Sequence, residues 1–510
     1  MKTCPVLSAA FFLLAVSAFA ARPVARWDVI PDQRVSGVFH AGVCAFHEDG
    51  VKVAFTVNGK PAGTAANPTL NPRTKVWEFV LPLDTAKLPD GPVVLGATAT
   101  TLGAAPESYE LPEMPLFANG KGSLSVKDVV WADSENGDDS AAGTEAAPLK
   151  TLAAAVRKVP VGGTVYLKAG LYDPGIGGGM NRPYWTTIAA APGVGRDKVE
   201  VCAGRPGTNR LRFQSLTLFC DADKGYCTIL AGEQGKSSVW VDDCVMLNKK
   251  GRWSGAANAF GNRYVAYVTG GLTTEMENGP GATLIRDHRI ETLCSDVWTG
   301  SDKLVVNCSA SDVHPGDTKA HPDFHQSHTV EPNWVHDVIL YNVSGEECTC
   351  QGLFGIRLRN SAFVNVSIER TPNNYFHSQY SGPMENVLFA HVTLFRQPWL
   401  WREGFAPKDV RMFNCLVPRM GGGAFAKEEL FVHHNHFSDT GKGSSTYGSD
   451  FTQGDPLFVK PSPDGHDYSL QPGSPAARSG IPLQCVPCDL KGRPYPVGPR
   501  PCGAWMVATP

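Results

Sequence analysis

The sequence predicts an all-β protein built as a small β-sandwich followed by a solenoid of stacked parallel strands. Residues 22–118 alternate apolar and polar positions with period 2, and no helical period competes there. Further along, short apolar strands recur with a polar residue at one fixed place: Asn307, Asn342, Asn365, His391, Asn414 and Asn435. Most of these places are separated by roughly 20–30 positions, the repeat of a solenoid. Glycine (53) and proline (39) are plentiful in the 510-residue chain, as many short strands and turns require. With 42% hydrophobic and 19% charged residues the chain has the apolar mass to fold, which excludes disorder as its general state. A net charge of −3 argues against nucleic acid or an anionic membrane as the main partner.

Residues 1–20 read as a secretory signal peptide: Lys2, an apolar run from Ala9 to Ala20, and the small-x-small site Ala18-Phe19-Ala20. The apolar run is too short to span a bilayer, so a secreted or periplasmic protein is expected. Cleavage removes Cys4 and leaves 13 of the 14 cysteines, an odd number. Cys220, Cys244, Cys308 and Cys415 stand in apolar runs, where cysteine acts as a small hydrophobe. Cys485, Cys488 and Cys502, in the Pro/Gly-rich tail, are the better disulfide candidates.

In residues 22–118, Val51–Val57 alternates strictly, and Asn58-Gly59 supplies a type I′ hairpin turn. Lys75–Leu81 and Pro92–Ala99 give further strands, which makes a sandwich of immunoglobulin-like size. Pro106–Ser123 reads as the linker. The second unit opens with Val126–Asp133 and a turn-rich stretch to Gly143. An amphipathic helix is then predicted over Leu149–Lys158, with Leu149, Leu152, Ala153 and Val156 on one stripe.

The run Asp133-Ser-Glu-Asn-Gly-Asp-Asp139, then Pro148-Leu-Lys-Thr-Leu152, then Gly162-Gly-Thr-Val-Tyr-Leu-Lys-Ala-Gly-Leu-Tyr172 resembles the N-terminal coil and capping helix of right-handed parallel β-helix proteins of the pectate-lyase-like superfamily. The resemblance covers residues 125–505 and implies a right-handed parallel β-helix over 125–484, with 485–510 as a C-terminal cap and tail. It also implies a polysaccharide-active enzyme. Polar residues at the fixed place of each coil would form a ladder that satisfies the turning backbone. Asn307, Asn342 and Asn365 are therefore expected to be structural, although each begins an N-x-S sequon. Neither the polygalacturonase motifs nor the paired aspartates plus lysine of calcium-dependent pectate lyases occur at coil spacing.

Polarity is concentrated in Asp312–His328, where about half of the positions carry a charge or an imidazole. On a regular strand, His321, Asp323 and His325 would share one face, with Gln326 and His328 on the other; Pro322 argues for a bend. Part of a coil upstream of each ladder residue stands another polar group. This predicts a column of Asp296, His325 or Gln326, Gln351, His377 or Gln379, and Arg402. Arg357 and Arg359 lie beside it, and Tyr375, Tyr380, Trp399 and Trp401 belong to the same coils.

Three chemistries fit these residue types. In β-elimination of a uronic-acid glycan, Arg357, Arg359, Arg402 or a Ca²⁺ on Asp296 and Asp323 neutralises the carboxylate, and His321, His325 or His377 is the base. Glycoside hydrolysis would use Asp296 with Asp323, or Asp323 with Asp312. A transition metal would take the H-x-D-x-H-x-x-H ligands. The leading expectation is a polysaccharide lyase on an acidic glycan, a monomer that binds substrate through Gln326, Gln351, Arg359, Gln379, Tyr375, Tyr380 and Trp401. Its rivals are a hydrolase on the same fold and a non-catalytic glycan-binding β-helix.

Overall fold

The computed structural model describes residues 21–125, 127–172, 181–202, 209–220, 228–229, 238–251, 258–259, 265–316, 320–327, 329, 332–355, 357–369, 383–395, 407–419, 430–439 and 450–508. Residues 1–20 lie outside them. Among the described residues no helix is long and apolar enough to cross a membrane. The protein is all-β, with one α-helix among the described residues, Leu152–Lys158.

Two sheets make up the first unit, antiparallel except where Arg34–Val35 pairs in parallel with Met114–Ala118. One has the order Val24–Trp27, Val38–Phe46, Trp77–Asp84, Thr69–Leu70; the other is built on Arg34–Val35, Met114–Ala118, Gly91–Thr101, Val51–Val57 and Lys60–Ala65. Alternation works here as read: Val51, Val53 and Phe55 are buried and Lys52 is exposed. These residues meet Val43, Phe79 and Leu81 of the other sheet in one core. Asn58 and Gly59 both have positive φ (50° and 74°), as a type I′ turn requires.

The rest of the chain coils. Twenty-four strands form one continuous ladder in which each strand pairs in parallel with the equivalent strand of the next coil, so the architecture is a parallel β-helix. Its lumen is filled by Val165, Ile188, Phe213, Val241, Val268, Ile285, Val305, Leu340 and Phe363. The helix begins later than its apolar stripe suggested. Leu149 is held by Trp131 through backbone bonds, and Thr151 caps the helix by accepting from the Ala154 N–H (3.1 Å).

One corner repeats along the coils. Ser215, Asp243, Gly270, Asp287, Asn307, Asn342, Asn365, His391, Asn414 and His434 are stacked equivalents, and all have positive φ. Asn and Asp tolerate this left-handed conformation better than other side-chain-bearing residues. The ladder is literal: Asn342 Nδ2 donates to Asn307 Oδ1 (3.0 Å) and Asn365 Nδ2 to Asn342 Oδ1 (2.9 Å). In the last coil, His434 rather than Asn435 takes the corner, because Phe413 pairs with His433. Asn435 instead accepts from the Cys415 N–H (2.7 Å).

The first unit lies against the outer face of the helix. Val24, Ile30, Phe46 and Val76 share a core with Leu304, Val306, Ile339, Tyr341, Val364 and Leu388. Asp28 and Arg286 pair within this junction, and Arg411 reaches Glu48 (3.0 Å) and His47 Nε2 (3.1 Å). The tail packs over the same region. Its cysteines are free thiols rather than disulfide partners: Cys485 Sγ donates to the His47 carbonyl (3.2 Å), Cys488 meets the Tyr341 hydroxyl (3.3 Å), and Cys502 Sγ donates to the His434 carbonyl (3.1 Å).

Candidate active site

Backbone pairing fixes which side chains stack. Trp298 pairs with His325 and His325 with Leu353; Thr299, Gln326 and Phe354 form the next row. Two positions upstream, Asp296, Asp323 and Gln351 are therefore equivalents on successive coils. Of the expected column, Asp296 and Gln351 are stacked equivalents, with Asp323 rather than His325 or Gln326 between them; its positions at His377 or Gln379 and at Arg402 lie outside the described residues. The distance to the ladder corner misplaced the register because the loops between sheets differ in length from coil to coil.

Asp296 and Asp323 are joined directly. The Asp323 N–H donates to Asp296 Oδ1 (2.9 Å), and the Val297 N–H donates to the Asp323 carbonyl (2.9 Å). The Gln351 N–H reaches the Pro322 carbonyl (2.8 Å). One coil earlier, Asn278 Oδ1 accepts from the Asp296 N–H (3.1 Å), and the Gly279 N–H donates to the Asp296 carbonyl (2.9 Å). Gly279 is required there, since a Cβ would stand 2.1 Å from the Val297 carbonyl oxygen. The sequence reading missed Glu277 and Asn278, although Asn278 stands one short coil before Asp296.

The pair is electrostatically unbalanced. Asp323 is fully buried, and among the described residues neither of its carboxylate oxygens has a hydrogen-bond partner. Burial, then the neighbouring Asp296 charge, pushes its carboxyl up to about 8. The Gln326 amide opposes this without reaching hydrogen-bond geometry. Asp296 is half-buried, and burial lifts it to about 6; the Asp323 N–H and the His321 charge favour its ionised form, while Glu277 disfavours it. Glu277 Oε2 is a further buried oxygen without a partner among the described residues. Among the described residues no arginine acts on either aspartate.

The histidines part company. The strand begins only at His325, so period 2 does not extend back through Pro322: His321 is exposed beside Asp296, whereas His325 turns into the lumen. His325 faces the Phe363 ring at 6.0 Å, its Nδ1 lies 2.7 Å from Ser327 Oγ, and burial pushes it down to about 3. Its ring packs on Phe363 and its Nδ1 is engaged with Ser327, so it is not placed as a base. The same divergence prevents His321 and His325 from sharing a metal ion with Asp323; His328 lies outside the described residues. Asp312 is engaged with His314 (3.1 Å) and has no influence on Asp323.

Arg357 and Arg359 both face the Trp334 ring, at 5.6 Å each, in and just after the turn that follows Leu353–Gly355. They stand apart from the aspartates. His377, Gln379, Tyr375, Tyr380, Trp399, Trp401 and Arg402 lie outside the described residues. Asp296 and Asp323 are the residues that would hold a hard cation such as Ca²⁺, through carboxylate oxygens of which those of Asp323 have no partner among the described residues and Asp296 Oδ1 accepts from the Asp323 N–H. The only trio of ligand atoms within 4.8 Å among the described residues is elsewhere, at Asp302, His336 and Asp337, where Arg22 and Arg26 already pair with the aspartates.

No family model and no curated protein matches the chain. Solved structures similar to it include a rhamnogalacturonan lyase (11% identity, 65% of this chain and 90% of that one, TM-score 0.31). A GH136 lacto-N-biosidase from Eubacterium ramulus matches at 12% identity over 60% of this chain and 68% of that one, with a TM-score of 0.34. Pectate lyase Pel9A matches at 13% identity over 76% of this chain and 98% of that one, with a TM-score of 0.35. The likeness is one of coil architecture and assigns no residue of this chain a role.

Proposed function

We propose that this chain is an exported carbohydrate-active enzyme that cleaves a glycan at the Asp296–Asp323 pair. The observation that carries this reading is the pair itself: two carboxyls on adjacent coils, one near 6 and one near 8, with no cationic side chain among the described residues to neutralise the deeper one. Carboxyls whose environments hold them apart in this way divide acid and base roles. Near neutral pH Asp323 keeps its proton; its carboxyl is fully buried behind the half-buried Asp296, so it serves a glycosidic oxygen only when a sugar seated on the pair displaces the cover over it. Asp296 is ionised and acts as base or nucleophile. Adjacent coils lie about 4.8 Å apart, nearer the roughly 5–5.5 Å of retaining glycosidases than the roughly 6.5–9.5 Å of inverting ones. Gln326, Gln351 and the exposed His321 surround the pair with hydrogen-bonding groups for sugar hydroxyls.

β-Elimination of an acidic glycan is the second reading. It is favoured by His321, an exposed imidazole beside Asp296 and a suitable base for a C5 proton. This route needs the uronate carboxylate neutralised, which a Ca²⁺ held by Asp296 and Asp323 would supply.

Incubating the full chain with neutral and uronic-acid glycans separates the two. New reducing ends without ultraviolet absorbance, lost in Asp323→Asn and indifferent to EDTA, are expected for hydrolysis. Rising absorbance from an unsaturated uronate, abolished by EDTA and by His321→Ala, would replace hydrolysis by elimination. Binding without shortening of any glycan would overturn both and leave a carbohydrate-binding protein.

A further inference from the structure

A cavity of about 260 Å³ opens where three parts of the chain meet, and it shares no residue with the Asp296–Asp323 site. The first unit contributes Lys75, from the turn before strand Trp77–Asp84. Two successive coils contribute Asn307, Ser309, Asn342 and Ser344 beside the ladder corner. The tail contributes Lys491. Among the described residues no carboxylate lines the cavity. Asp489, the acid nearest Lys491 in sequence, is taken by Arg493 (2.6 Å), and Asp287 at the ladder corner accepts from Asn307 (3.2 Å). Two lysines therefore line a recess whose other polar side chains are amides, hydroxyls and the Cys308 thiol.

The backbone of each lysine sits in a hydrogen-bonded turn, and both side chains are exposed. Lys75 has φ 58°, a conformation in which Asn or Gly would be easier to accommodate, and its N–H donates to the Asn71 carbonyl (2.9 Å). A lysine kept in a left-handed turn against its own preference points to a use for its side chain. Lys491 sits in the turn closed by the Gly492 N–H on the Asp489 carbonyl (2.9 Å), with its ammonium 4.9 Å from the Trp505 ring centre. Trp77 Nε1 donates to the Gly492 carbonyl (3.1 Å) and ties the turn that carries Lys491 to the first unit.

We propose that this cavity binds a single anionic sugar unit, its carboxylate between Lys75 and Lys491 and its hydroxyls on the serine and asparagine side chains. The anion follows from the two lysines alone. That it is a sugar rests on the glycan reading above and on the polar lining. The volume falls below the usual range for drug-sized ligands, which suits one ring rather than an oligosaccharide.

The test is calorimetric titration of the full-length chain with galacturonate, galactose and inorganic sulfate. Lys75→Asn keeps the left-handed turn and Lys491→Gln is a change at the surface, so the double variant should fold, which circular dichroism checks. Galacturonate is expected to bind in the millimolar range, at least tenfold tighter than galactose. Affinity should fall at least tenfold in the double variant. Unchanged galacturonate binding by the double variant, or no galacturonate binding by the wild type, overturns the proposal. Binding of sulfate without galacturonate leaves a bare anion site and overturns the sugar assignment. A protein that binds galacturonate through the lysines yet cleaves no glycan would refute the enzymatic reading and leave this site standing.

Discussion

The backbone N–H of Asp323 donates to the carboxylate of Asp296 at 2.9 Å, so one catalytic candidate orients the other across two coils of the β-helix. Asp296 thereby gains a donor for its charged form. Asp323, whose own oxygens have no partner among the described residues, has only the opposing Gln326 amide to favour its charge and keeps its proton to about pH 8.

That asymmetry dictates a pH profile. Cleavage through an ionised Asp296 and a protonated Asp323 should rise through about pH 6, fall through about pH 8 and peak between them. Asp323→Asn should lower kcat by a factor of about 100 or more and abolish the alkaline limb. Initial rates from pH 4 to 10 on both proteins check this; a flat profile across pH 6–8 in the wild type contradicts the assignment.

Stability should show the opposite benefit. The folded-state value of Asp323 lies above its unfolded value, so the folded protein holds the extra proton. Stability is fully present below the ordinary carboxylate range and is lost as pH rises toward 8. Asp323→Asn removes the buried charge and should raise stability by about 1–3 kcal/mol at pH 8.5, with little change at pH 4. Thermal melts at the two pH values decide it.

Gly279 supports the site from the preceding coil. In Gly279→Ala the new methyl would meet the Val297 carbonyl, and backbone cannot swing aside as a side-chain tip can. A loss of about 1–3 kcal/mol is expected, with reduced activity because Val297 adjoins Asp296. Gly473→Ala, with open space around its Cβ, is the control and should be silent. Equilibrium denaturation and a standard activity assay measure both.

At the junction of the two units, Arg286 compensates Asp28, which is fully buried. Arg286→Met takes away its direct partner, leaving only the nearby Arg73 charge, and should cost about 3–5 kcal/mol, whereas Asp28→Leu combined with Arg286→Met should recover most of the loss. A double-mutant cycle by chemical denaturation tests the coupling.

The ladder and the site were legible in the sequence to different depths. Asn307, Asn342 and Asn365 announced the coil corner because a left-handed turn selects asparagine, and selection by backbone conformation leaves a mark at a fixed place. The pairing of Asp296 with Asp323 was visible as a pair of carboxylates at coil spacing. Its register was not, since loops of unequal length separate the corner from the strands that carry Trp298, His325 and Leu353. The burial of His325 was hidden for a related reason: alternation applies only where a strand is regular, and Pro322 delays the strand until His325 itself. Glu277 gave no signal, being one acid among many on a short coil. The tail thiols misled because a Pro/Gly-rich setting resembles a disulfide framework, while each cysteine here found a carbonyl or hydroxyl instead.

The apolar seam between the first unit and the coils has a consequence for how the molecule can be divided. Val24, Phe46 and Val76 cover Val306, Ile339, Tyr341 and Val364, which would otherwise be an oily strip on the outside of a solenoid. Cutting the chain in the stretch between residues 118 and 125 would therefore sever a covalent boundary that is not a thermodynamic one. Each half would expose the surface the other protects, and the severed coils would seek a substitute cover in one another. The β-helix is an incomplete object without its N-terminal companion, and the two should be lost together in a single cooperative melt.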